Sequence, residues 1–218
     1  LDPKRRARTI QHWSARLVAI CGVRIDLRVP AGRHAAEKAL IVANHVSWLD
    51  IFVINTVQPC RFVAKSDIRD WPLIGWLCMK AGTVFIARGK MRDVRRTFEH
   101  LVAALHEGEH VAFFPEGGTA APGTLRPFHA NLFEAAIDAG VPVQPYALQY
   151  VDAEGRLHAA ADFTGDVNFV QSAFRIARAR RMTAQLILLP PIPTAQAHRR
   201  ELADAARASI AAALGYQD

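Results

Sequence analysis

The sequence predicts an α/β fold: a single-domain sandwich with a central mixed or largely parallel sheet flanked by helices. Three observations predict it. Apolar runs of strand length recur along the chain, amphipathic stretches of helical period separate most of them, and no internal repeat or low-complexity linker divides residues 1–218. With 51% hydrophobic residues, the chain is long enough to bury a substantial core.

The first element is an N-terminal amphipathic helix over residues 4 to 21. Ile10, Trp13, Leu17 and Ile20 or Cys21 share one stripe, opposite Arg5, Arg6, Arg8 and Arg16. Arginines flanking an apolar face that bears a tryptophan suit both packing on the core and docking on a membrane surface. Strands are expected at Val23 to Val29, Leu40 to Ala43, Arg61 to Ala64, Thr83 to Ala87, Val111 to Phe114, Val143 to Gln149 and Gln185 to Leu189. The clearest later helix spans about 92 to 107, with Val94, Phe98, Leu101, Val102 and Leu105 on one face and Gly108 as its stop. Further helices are expected at about 130 to 139, closed by Gly140, at 167 to 181, ending in Arg175, Arg178, Arg180 and Arg181, and at about 196 to 214. The Trp71 to Met79 stretch is too short to span a bilayer; its two tryptophans suit the headgroup boundary, and its apolar content equally suits a core helix.

Composition narrows the function classes. No uninterrupted apolar run reaches the roughly 18 residues of a membrane span, and no secretory pattern opens the chain. Cys21, Cys60 and Cys78 are odd in number and widely spaced, which fits buried free thiols and neither a disulfide frame nor a zinc site. The formal charge of +7, from 27 basic and 20 acidic residues, favours anionic partners. The basic residues near 175 to 181 lack a recognisable nucleic-acid motif or aromatic platform, so a nucleic-acid partner is not expected.

Chemistry gathers at strand ends. Asn44 to Asp50 follows an apolar strand and sets His45 and Asp50 in the chain with four residues between them, an imidazole with a carboxylate able to fix its tautomer and steady its charged form. Ser47-Trp48-Leu49-Asp50 also fits a helix start, with Ser47 as N-cap and Asp50 in the first turn, so a structural and an orienting role for Asp50 are both open and compatible. Phe114 to Thr119 ends another strand in a turn that holds Glu116 beside Gly117 and Gly118, residues that permit close backbone approach. Lys65 ends a third strand and Arg88 a fourth, where a guanidinium could grip an anionic oxygen in a forked contact. His106-Glu107-Gly108-Glu109-His110 matches the zinc-protease string only literally, because Gly108 interrupts the helix on which both histidines would have to lie; no metal site is expected.

The order and spacing of these strand ends strongly resemble the glycerolipid acyltransferase family, which includes bacterial 1-acylglycerol-3-phosphate acyltransferase. About residues 38 to 150 carry the likeness. Asn44 to Asp50 resembles the His-x-x-x-x-Asp block, Gly82 to Arg88 the Gly-x-x-Phe-Ile-x-Arg block, Phe114 to Thr119 the Phe-Pro-Glu-Gly block, and Val141 to Pro145 the proline-flanked fourth block. The resemblance implies that His45 is the general base for a lysolipid hydroxyl and that Asp50 orients it. It further implies that Lys65, Arg88 and the Glu116-Gly117-Thr119 region bind the acceptor headgroup, with an acyl carrier protein or coenzyme A thioester as donor. No cofactor is implied, and the chain has no Gly-x-Ser-x-Gly elbow for a covalent acyl-enzyme. Attachment to the cytoplasmic face of a bacterial inner membrane is expected, peripherally through the helix at residues 4 to 21 and the Trp71 to Met79 stretch, or through a segment absent from this chain.

Two departures bear on the acceptor. Gly118-Thr119 stands where many members have Thr-Arg, and Pro127-Phe128-His129-Ala130-Asn131 replaces a Pro-Phe-Lys-x-Gly pattern. Both subtract fixed positive charge from the acceptor side. The expected acceptor is 1-acylglycerol-3-phosphate, with a lyso-ornithine lipid as the alternative.

Overall fold

The computed structural model describes residues 2–30, 35–70, 74–86, 91–179 and 181–216. Seven strands form the sheet: β1 (Val23–Arg28), β2 (Leu40–Ala43), β3 (Arg61–Lys65), β4 (Val84–Ile86), β5 (Val111–Phe113), β6 (Val143–Val151) and β7 (Met182–Leu188). Their order is β1-β7-β6-β2-β5-β3-β4. Every neighbouring pair is parallel except β6 with β7, so the sheet is mixed and largely parallel, as the alternation of strand and helix predicts. Because β2 to β6 run the same way, the C-terminal ends of β2, β3, β4 and β5 lie at one edge of the sheet.

Helices cover both faces. On one side lie α1 (Pro3–Ile20), α2 (Asp50–Val57) and α6 (Phe169–Arg178); α4 (Met91–His106), α5 (Glu134–Asp138) and α7 (Arg199–Leu214) line the other, while α3 (Ile74–Ala81) leads into β4. β2 shows why its sequence is uniformly apolar. Ile41 and Ala43 enter the core under α1, α2 and α6, Leu40 and Val42 enter the core under α4 and α7, and all four are buried.

Several boundaries differ from those the sequence predicts. Residues 130 to 139 divide into a 3-10 turn (Asn131–Phe133) and the short α5. α6 starts at Phe169, where the Asn168 side chain caps the Gln171 amide, and it stops at Arg178, short of Arg181, whose φ of 63° is left-handed. α7 starts at Arg199 because Gln196 is itself left-handed and His198 with Glu201 closes a reciprocal cap. β7 begins at Met182, earlier than expected, because it pairs on both sides, with β1 and with β6. In α1 the buried line is Ser14 and Val18, leading to Cys21; Trp13 and Ile20, assigned to the apolar stripe, lie exposed, Ile20 at 79%. Among the described residues no helix is long and apolar enough to cross a membrane.

Candidate active site

The main chain leaves β2 through a side-chain substitute for strand pairing. Asn44 donates from Nδ2 to the Leu148 carbonyl and accepts the Leu148 N–H, both at 2.8 Å, so pairing with β6 continues while the backbone turns away. His45 comes next and is fixed by its backbone on both sides. Its N–H donates to Glu116 Oε1 at 2.7 Å and its carbonyl accepts the Ala120 N–H at 2.7 Å.

Asp50 begins α2 and is fully buried. Its Oδ2 meets His45 Nδ1 at 2.8 Å and accepts the N–H groups of Val46 at 2.7 Å and Ser47 at 2.9 Å; its Oδ1 accepts the Tyr150 hydroxyl at 2.7 Å. Ser47 is not the helix cap: Leu49 holds that position without a side-chain bond, and Ser47 Oγ accepts only the nearby Leu49 N–H at 3.4 Å. The carboxylate itself ties down the loop's amides. Asp50 is therefore at once a tie for the loop's amides and a hydrogen-bond partner of the imidazole. With Asp50 an acceptor, the assigned tautomer carries its proton on Nδ1, which leaves a lone pair on Nε2. The imidazole stacks on Phe114 with centroids 3.9 Å apart and planes at 6°, and its side chain keeps 17% exposure. A half-buried, oriented ring with an available Nε2 can take a proton from a hydroxyl.

Glu116 works inside the protein. It is 2% exposed, and while Oε1 holds His45, Oε2 accepts the Arg126 N–H at 2.8 Å. Burial pushes its carboxyl above the ordinary carboxylate range, against the opposing pull of those two N–H donors. Gly117 has φ +69°, and a Cβ there would lie 3.2 Å from the His129 ring, so both conformation and space call for glycine. A Cβ on Gly118 would lie 3.0 Å from Arg126 Nη1: the guanidinium fills the room that a side chain at 118 would take. Thr119 donates its hydroxyl to the Phe163 carbonyl, anchoring the turn to the segment before α6.

The structure thus brings together His45, Asp50, Glu116, Gly117 and Thr119. Lys65 closes β3, next to β5 and β4, although its side chain lies outside the described part. Arg88 and Trp71 lie outside the described residues. The zinc-protease string is divided as expected: His106 ends α4, Gly108 is left-handed at φ +83°, and His110 precedes β5 with its carbonyl accepting the Arg61 N–H. Among the described residues no group of histidine, cysteine and acidic side chains could hold a metal ion.

A model of the acyltransferase family matches residues 24–149. The chain belongs to the acyltransferase family. It is 40% identical over 209 residues to a lyso-ornithine lipid O-acyltransferase of Pseudomonas aeruginosa, an alignment covering 96% of this chain and 79% of that protein. It is 37% identical over 184 residues to a 1-acyl-sn-glycerol-3-phosphate acyltransferase of Neisseria gonorrhoeae, covering 84% and 71%. The fold is shared with the crystal structure of the 1-acyl-sn-glycerophosphate acyltransferase PlsC of Thermotoga maritima, at a TM-score of 0.62 over 97% of this chain and 81% of that one, with 19% identity.

Sequence reasoning missed three residues of this acyltransferase's site. Tyr150 lies 100 residues from Asp50 in the chain and reaches it only because β6 runs beside β2. Phe114 sits inside a recognised block, but its role as the face on which the imidazole rests has no periodic signal. Arg126 is placed by the Glu116 carboxylate and by Arg207 of α7, whose guanidinium donates to the carbonyls of Leu125 and Arg126.

Proposed function

We propose that the chain transfers an acyl group from a coenzyme A or acyl carrier protein thioester to the free hydroxyl of a lysolipid. One observation carries this: His45 presents an available Nε2 while its Nδ1 is held by a buried carboxylate whose other bonds are all satisfied. The acceptor hydroxyl binds at Nε2 and gives up its proton as its oxygen attacks the thioester carbonyl. Asp50 stabilises the imidazolium. The tetrahedral intermediate collapses by breaking the carbon–sulfur bond, and the imidazolium returns its proton to the departing thiolate, leaving an ester and a free thiol. No covalent enzyme intermediate is required.

The acceptor we take first is 1-acylglycerol-3-phosphate, bound by Lys65 and Arg88; the Neisseria relative named above carries that activity in its name. A lyso-ornithine lipid is the second reading. It is favoured by Gly118-Thr119, which removes one cation from the turn, and by the 40% identity to the Pseudomonas protein. The enzyme acts at the cytoplasmic face of a bacterial inner membrane, where both the acceptor and the thioester donors are accessible. The deciding experiment is an acyl-transfer assay with lysophosphatidate and lyso-ornithine lipid against both thioester types. Transfer to neither acceptor from either donor would overturn the proposal, and the preferred acceptor selects between the two readings.

A further inference from the structure

Among the described residues nothing covers the outer face of α6. Val170 and Phe174, one turn apart, are 60% and 61% exposed, whereas the inner face of the same helix buries Ser172 and Ile176 completely. Single exposed apolar residues need no explanation, but an apolar pair on a helix this strongly two-faced does. Charge surrounds the pair. Arg175 and Arg178 occupy the last turn, the Arg178 guanidinium lies 6.0 Å over the Phe174 ring, and the helix contains no acidic residue. In the same layer, α1 carries exposed Trp13 and Ile20 among Arg5, Arg8 and Arg16, again without an acid between Pro3 and Ile20. Two helices on one face of the sheet that combine exposed apolar side chains with positive charge alone match an anionic lipid surface and poorly match solvent.

The inner face of α6 is joined to the catalytic loop. Trp48, between His45 and Asp50, donates its indole N–H to Ser172 Oγ at 3.0 Å and meets Phe169 edge to face at 4.8 Å. The segment just before α6 accepts the Thr119 hydroxyl at Phe163. α6 therefore presents an exposed apolar and basic face on one side and holds the Trp48 loop on the other, while the segment before it holds Thr119.

We propose that the outer face of α6, through Val170, Phe174, Arg175 and Arg178, docks this protein on an anionic bilayer and so holds the His45 loop at the lipid surface from which the acceptor comes. This rests on the lysolipid-acceptor reading above. The apolar pair inserts at the boundary between headgroups and acyl chains, the arginines pair with lipid phosphates, and the Trp48 contacts set the catalytic loop at a fixed position beside that boundary.

The test uses the full chain, vesicles of phosphatidylglycerol mixed with phosphatidylcholine, and vesicles of phosphatidylcholine alone. The Val170→Ser, Phe174→Ser double variant should lower binding to the anionic vesicles about tenfold or more. Arg175→Gln with Arg178→Gln should lower it by about fivefold per arginine and abolish the preference for anionic over neutral vesicles. All four positions are exposed, so melting temperature stays unchanged, and turnover of acceptor dispersed in detergent stays at the wild-type level while turnover on vesicles falls with binding. Unchanged vesicle binding in both folded double variants overturns the proposal. So does loss of a dimer, seen by size exclusion, in place of loss of vesicle binding, since the face would then join two copies. Wild-type protein that acylates a lysolipid in detergent but ignores anionic vesicles removes the docking face alone, whereas vesicle binding without transfer to any lysolipid removes the functional reading and with it this proposal.

Discussion

Replacing Asp50 by asparagine isolates the negative charge from the geometry it supports. Three donors converge on Oδ2, from His45 Nδ1, Val46 N and Ser47 N, so the asparagine carbonyl oxygen takes that site and its NH2 takes the place of Oδ1. There it faces the Tyr150 oxygen, which can turn its own proton away and accept. The loop and the His45 tautomer therefore survive, and what disappears is stabilisation of the imidazolium. A charge-assisted hydrogen bond is worth about 1.5 to 3 kcal/mol, and each ~1.4 kcal/mol is tenfold, so turnover should fall by roughly tenfold to a hundredfold. Stability changes little. Each of the bonds loses about 1 kcal/mol when its acceptor becomes neutral, and relief from burying a charge offsets this, leaving a shift of a few degrees at most. The assay is steady-state acyl transfer at saturating thioester beside a thermal melt, with His45→Ala as reference; loss of the base should cost about a hundredfold or more and exceed the asparagine effect. Turnover within about threefold of wild type in folded Asp50→Asn protein would refute the orienting charge, for a charge-assisted bond is worth about 1.5 kcal/mol or more, roughly tenfold. A loss equal to that of His45→Ala would refute the claim that the tautomer is kept.

Other expectations follow from the same contacts. Tyr150→Phe removes one bond to a buried carboxylate, so it should lower stability by about 1.5 to 3 kcal/mol by urea titration and reduce turnover without raising the half-saturating acceptor concentration; a change confined to that concentration would contradict its positioning role. Arg88→Ala should raise the half-saturating lysophosphatidate concentration more than it lowers turnover, as loss of ground-state binding requires. Arg126→Gln, which empties the space beside Gly118 of its cation, should do the same, with partial recovery in Arg126→Lys; unchanged acceptor saturation would remove Arg126 from the binding surface. Burial holds the His110 imidazole below its ordinary value of 6.5, so the unfolded chain binds that proton more readily. Its stabilising contribution is present above about pH 6.5 and lost as pH falls, and His110→Leu should gain stability relative to wild type between about pH 7 and about pH 5. A pH-independent difference would show that His110 is not shielded.

The sequence by itself determined the α/β class, the seven strands and the one block that carries both His45 and Asp50. Those features are local: β2 is apolar in every residue because both its faces are covered, and a strand followed by His45 and then a helix start is a pattern within a dozen residues. Helix ends were less legible, since left-handed residues such as Gln196 and Arg181 carry no glycine to announce them. Trp13 and Ile20 fit an apolar stripe by spacing, but where that stripe meets the core depends on how α1 rotates on α2. Only the tertiary structure decided what Glu116 does. From sequence it is a carboxylate in a glycine turn aimed at a headgroup; in the fold its two oxygens hold the amides of His45 and Arg126. Tyr150 and Arg126 came from the same source. Parallel pairing sets β5 and β6 on either side of β2, so residues 71 and 100 positions distant in the chain meet the catalytic loop. Side-chain periodicity reports which face of a strand is buried, but strand order, which selects the partners of a loop, is set by long-range pairing that no local pattern encodes.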